Sequence, residues 1–116
     1  MSHGELNPYA VGPDQGEALW ILGGLYTFKA TGEATNGAYT LVEVQGPQGF
    51  SIPVHLHERE QEGFYVAEGG ATIFLGGEPV EIPTGSFAFA PVGAEHTFRL
   101  EEPNTRLILL LTPGNA

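Results

Sequence analysis

The chain has 116 residues, 41% of them apolar, with 17 glycines, 9 prolines and a formal charge of -10. That length makes one domain able to bury roughly two thirds of its unfolded surface. The acidic balance, opposed only by Lys29, Arg59, Arg99 and Arg106, disfavours nucleic acid and anionic membrane surfaces as partners, and the absence of cysteine excludes disulfides, thiolate ligands and a cysteine nucleophile.

Residues 1–18, MSHGELNPYAVGPDQGEA, show no hydrophobic period and read as an extended arm ahead of a single domain at 19–116. The arm lacks the apolar stretch of a signal peptide, and the longest aliphatic run, Leu107 to Leu111, is far shorter than a membrane span. A cytoplasmic location is expected. No segment keeps helical spacing for three turns without meeting Gly or Pro, so the class is all-β. LYTFKA (25–30) and AYTLVEV (38–44) are rich in β-branched and aromatic residues, and the Asn36-Gly37 dipeptide between them tolerates positive φ; a hairpin is predicted. Further on, EREQ (58–61) turns the chain into EGFYVAE (62–68). ATIFL (71–75) and EPVEIP (78–83) flank Gly76-Gly77 and form a second predicted hairpin, followed by strands in SFAFAP (86–91), HTFRL (96–100) and TRLILLLT (105–112). Many short strands with frequent turns predict a sandwich or a small barrel. Phe64, Val66, Phe87, Phe89, Phe98 and Leu100 alternate as core residues do, whereas Glu58 and Glu60 fall in a solvated turn.

Within this frame one constellation carries chemistry. Residues two apart on a strand share a face, so His55 and His57 of IPVHLH project together. Glu62 opens the next strand toward the same interior, and His96 follows the turn in PVGAE. Neutral imidazoles with one carboxylate form a mixed nitrogen and oxygen donor set that suits one divalent first-row metal; manganese, iron, cobalt, nickel, copper and zinc all accept it. A His-x-His pair alone is more often surface decoration. Three of the four histidines converging here, with His3 left on the arm, favours a site. Phe64 shares the strand face of Glu62, and Phe98 that of His96, so both rings are expected to line it and to contact substrate.

These residues resemble the cupin family. Gly49, His55, His57, Glu62 and Gly69 stand at the spacings of its first motif, and Gly85, Pro91, Gly93 and His96 at those of its second; Leu100 replaces the closing Asn, which is not a ligand position. The resemblance spans residues 49–100 and implies a small jelly-roll β-barrel in which His55, His57, Glu62 and His96 bind the metal. It also implies a homodimer, formed through edge strands or a swapped arm. Within the family, residues 18–70 are similar to single-domain relatives of quercetin 2,3-dioxygenase. That similarity implies oxygenation of a small flavonol-like or other enolisable substrate bound at an open metal position, with Glu62 as catalytic acceptor of the substrate hydroxyl proton. Two other readings follow from the same ligand set: sugar or sugar-acid isomerisation, which lacks the basic cluster a sugar phosphate would need, and non-catalytic binding of a metal or small molecule.

Overall fold

A computed structural model describes residues 6–114. All regular structure among them is β: β1 (Glu17–Ile21), β2 (Gly24–Ala30), β3 (Thr40–Gln45), β4 (Gln61–Glu68), β5 (Gly70–Leu75), β6 (Glu78–Pro83), β7 (Phe87–Ala90), β8 (His96–Leu100) and β9 (Arg106–Thr112). A six-stranded antiparallel sheet in the order β1-β2-β3-β9-β4-β7 faces a three-stranded one in the order β6-β5-β8. Non-sequential neighbours such as β3 beside β9 are what a jelly roll requires. No helix among the described residues is long and apolar enough to cross a membrane.

Both predicted hairpins are present. β2 pairs with β3, and Asn36 (φ 57°) and Gly37 (φ 82°) in the connection both take the left-handed conformation. β5 pairs with β6 through Leu75↔Glu78, so Gly76 (φ 60°) and Gly77 (φ 86°) form a two-residue turn. Its positive φ at both central positions matches the right-handed twist of the strands.

The arm differs in part from its expectation. His3 lies outside the described residues, and residues 6–16 carry no strand. They are nonetheless tied to the sheet, because the Lys29 ammonium donates to the carbonyls of Gly12 (2.9 Å), Pro13 (3.0 Å) and Gln15 (2.7 Å). β1 then begins inside the arm, at Glu17, and pairs along its whole length with β2. Leu19, Trp20 and Ile21 form this strand, yet all of β1 is exposed.

The core fills the space between the two sheets. Val44, Phe64, Val66, Ile73, Phe98, Leu100 and Leu107 are fully buried there, each about 1.5–3 kcal/mol of transfer free energy relative to exposure. Phe98 packs on Phe50 with ring centroids 6.1 Å apart. Two residues expected in the core face the other way: Phe87 is 61% and Phe89 45% exposed, while Ala88 and Ala90 between and after them are buried. Alternation identifies which residues share a face of a strand. It does not identify which face is inside, and on β7 the small residues point inward.

Candidate metal centre

The strand framework brings four side chains to one end of the interior. The segment before β4 is not itself a named strand, but it runs antiparallel to β8 through bridges at Ser51↔Arg99 and His55↔His96. His55 N–H donates to the His96 carbonyl (3.0 Å), and His96 N–H to the His55 carbonyl (2.8 Å). Two imidazoles from segments some forty residues apart are thereby held with ring centroids 4.4 Å apart. His57 is fixed by its carbonyl, which accepts from Gly93 N–H (2.9 Å) in the turn ahead of β8. Glu62, on the inward face of β4 with Phe64 and Val66, closes the group.

One ligand atom from each of His55, His57, Glu62 and His96 lies within 4.8 Å of the others. Atoms bound to a single first-row ion at about 2.0–2.1 Å stand roughly 3–4 Å apart, so small side-chain movements suffice to close the set. His57 Nε2 and His96 Nε2 both lie beside Glu62 Oε1, at 3.0 and 3.1 Å. The opposite ring nitrogens face acceptors: His55 Nδ1 the Pro53 carbonyl (3.1 Å), His96 Nδ1 the Ala94 carbonyl (2.9 Å) and His57 Nδ1 the Glu60 carboxylate (3.4 Å). An acceptor at Nδ1 selects the tautomer in which Nε2 carries a lone pair. Those lone pairs face carboxylate oxygen, an arrangement that is repulsive unless a cation or an extra proton lies between them. The four residues therefore fit a divalent metal.

The buried acid shifts the titration of its neighbours. The His96 imidazole titrates above its ordinary value, chiefly because of its hydrogen bond to Glu62; burial opposes the rise, and the Ala94 carbonyl and the Glu62 charge add to it. Tyr26, on the inward face of β2 and 8% exposed, has its phenol pushed up to about 12 by burial and by the charge of Glu62. It stays a neutral hydroxyl at any physiological pH.

Phe64 stands edge-on to His96, with centroids 5.7 Å apart, and Phe98 belongs to the core behind it. With 0% and 1% exposure, both rings belong to the hydrophobic core and offer no accessible surface to a substrate in this conformation. Tyr65 and Tyr39 are exposed, at 46% and 40%. Glu60 was placed in a solvated turn by its sequence; it is instead 9% exposed against His57, a rotation that no periodic signal announces. A cleft of about 1070 Å³ lies away from His55, His57, Glu62 and His96, between Leu6, Tyr9 and Pro13 of the arm and Tyr39, Leu41 and Arg106 of the sheet.

A jelly roll with three imidazoles and a carboxylate converging inside it defines the class of cupin-type metal proteins. The chain belongs to the cupin family: the family described as a cupin domain matches residues 41–112. It resembles the quercetin dioxygenases within that family. It is 31% identical over 107 residues to quercetin 2,3-dioxygenase of Bacillus subtilis (strain 168), covering 92% of this chain and 32% of that protein. It is 28% identical over 97 residues to quercetin 2,3-dioxygenase of Aspergillus japonicus, covering 78% and 28%. The chain thus spans about a third of the length of the curated relatives it matches. The solved structure of KdgF from Halomonas sp. superposes with a TM-score of 0.82 at 22% identity, covering 92% of this chain and 94% of that one. That likeness is one of fold.

Proposed function

We propose that the chain is a metal-dependent dioxygenase acting on a flavonol-like or other enolisable small molecule, with His55, His57, Glu62 and His96 as metal ligands. The observation that carries the reading is the convergence of three imidazoles on the buried Glu62 carboxylate in a chain related to quercetin dioxygenases. A divalent transition metal bound there supplies a positive charge that favours the enolate of the substrate over its neutral form and offsets the acidic exterior.

The remaining work falls to the chain. The backbone pairing of His55 with His96 fixes two rings before any ligand arrives, which limits reorganisation during reaction. Glu62, 3% exposed, is the catalytic residue: its second carboxylate oxygen accepts the substrate hydroxyl proton. The Tyr26 hydroxyl, its pKa raised to about 12 by burial and by the Glu62 charge, stays protonated. Phe64 packs edge-on against His96 and helps to keep it from water, and the buried Phe64 and Phe98 reach a substrate only if the residues covering them move.

The test is dioxygen uptake by metal-loaded protein across a panel of flavonols and enolisable diketones. Uptake that depends on both metal and Glu62 is expected. Its absence across the panel defeats the oxygenase reading, and a small molecule recovered unchanged from the protein would point to binding without turnover.

We also propose that the chain pairs with a second copy through the outer face of β7, β4 and β9. Register places Phe87 opposite Tyr65, and Phe89 and Leu110 on either side of Gly63. A Cβ on Gly63 would stand 2.8 Å from the Phe87 ring, so the glycine lets that ring lie across the sheet. Phe87, Tyr65, Phe89 and Leu110 are uncharged, and Arg106 and Glu68 at one end of the face pair with each other at 3.6 Å; in a chain of formal charge -10 a like-charged copy meets the least repulsion there. Edge strand β7 lacks the lysine or proline that usually blunts such an edge.

A further inference from the structure

We infer that Glu60 is a positioning residue of the metal centre, acting through His57. The inference rests on the metal-site reading above and extends it to a residue outside the ligand set. A ring that offers Nε2 to a cation must keep its proton on Nδ1, and some acceptor must hold that proton. His55 and His96 solve this alike. Each places Nδ1 against the carbonyl two residues before it, Pro53 at 3.1 Å and Ala94 at 2.9 Å.

His57 does not follow this pattern. The carbonyl two residues before it belongs to His55, and that oxygen already accepts the His96 N–H at 2.8 Å as part of the bridge that aligns the other two rings. A side chain takes over the role. Glu60, three residues on, turns its carboxylate inward to 3.4 Å from His57 Nδ1, while its neighbours Glu58 and Arg59 point into solvent. That separation is slightly longer than the usual N–H···O range of about 2.7–3.2 Å, and a few tenths of an ångström of side-chain movement closes it.

Burial makes the position informative. A carboxylate removed from water in an already acidic chain is unfavourable unless a donor faces it, and the donor here is the imidazole N–H. Glu60 therefore does for His57 what two backbone carbonyls do for its partners, with a full negative charge instead of a dipole. The consequence is that His57 is the most strongly donating of the three rings.

The test is calorimetric titration of the full chain with zinc, in competition with a chelator, across wild type, E60Q, E60D and E60A. The Gln amide oxygen can accept the same proton, so E60Q is expected to stay within about fivefold of wild type. E60A should bind zinc about 10–100-fold more weakly. E60D keeps the charge but withdraws it by one methylene, and should fall between them. As a second readout, nitrogen-15 NMR of the zinc-loaded proteins should show faster solvent exchange of the His57 Nδ1 proton in E60D and E60A, with the His55 and His96 protons unchanged. A flat affinity series, an E60Q as weak as E60A, or an unchanged His57 proton overturns the role of Glu60 while leaving the ligand set standing. Failure of the wild-type chain to bind zinc overturns both.

Discussion

The metal centre and the outer face of β7 break the same rule in opposite directions. Inside the barrel, Glu62 and His96 are 3% and 2% exposed where apolar side chains are the norm, while outside it Phe87 and Phe89 are 61% and 45% exposed where polar ones are. The first departure is stabilised locally: both Nδ1 atoms of the paired rings meet carbonyls, and no buried side-chain nitrogen or oxygen among the described residues lacks a hydrogen-bond partner. The second is left uncovered by the described residues. Departures from the binary pattern collect where a sequence is constrained by something besides folding, and the proposals above assign one to a cation and the other to a second copy.

The difference is largest under mutation of the ligands. The double variant H55A/H96A should lose essentially all metal, more than about 100-fold in affinity, since even indirect positioning groups are worth about 10–100-fold; elemental analysis after dialysis checks it. E62Q retains shape but not charge. It should weaken metal binding and lower any turnover by about 10²–10⁴-fold, the usual contribution of a positioned proton acceptor, as read from steady-state rates.

Aromatic substitutions sharpen the contrast. F64A removes a fully buried ring beside His96 and should cost about 3–5 kcal/mol in denaturant unfolding. The pair F87S/F89S removes two rings from the outer face and should change the stability of the isolated monomer by no more than about 0.5 kcal/mol per site, while sedimentation analysis shows a dimer converted to monomer. A large loss of monomer stability in F87S/F89S would make that face part of the fold instead of an interface.

How much of this could be read from the chain depends on whether a feature leaves a local period. His55 and His57 share one alternation, Glu62 opens the strand that follows a four-residue turn, and His96 follows a recognisable turn, so the candidate ligand set is legible before any fold is built. The Asn36-Gly37 and Gly76-Gly77 connections are legible for a similar reason, because few dipeptides accept positive φ twice. β1 is not, since an exposed strand with Leu19, Trp20 and Ile21 in a row, followed directly by Leu22, has no alternation to detect. The alternation of Phe87 and Phe89 with Ala88 and Ala90 leaves open which side faces the core, and only the folded structure shows that the alanine side is buried. Glu60 was hidden by its neighbours, as a turn of four polar residues gives no sign of which one rotates inward.

The smallest effect expected concerns the far sheet. Glu101 accepts from the Thr72 hydroxyl and from Arg99 at 2.8 Å, and the Thr72 bond foremost, then Arg99, hold its carboxyl below the ordinary value of 4.5 against the opposing effect of burial. Its folded-state pKa is depressed, so its contribution is present above about pH 4.5 and is lost as pH falls through the folded value. Thermal melts of wild type and E101Q should therefore differ slightly at neutral pH and converge in acid. A gap that widens in acid would reverse the assigned sign.

The central claim is that three imidazoles and one carboxylate from separate segments meet at a single ion. X-ray absorption of the zinc-loaded chain measures this directly. One zinc per chain, with three histidine nitrogens and one carboxylate oxygen at about 2.0–2.2 Å, is the expected result; zinc bound through fewer than two histidines, or spread over several weak surface sites, would contradict it.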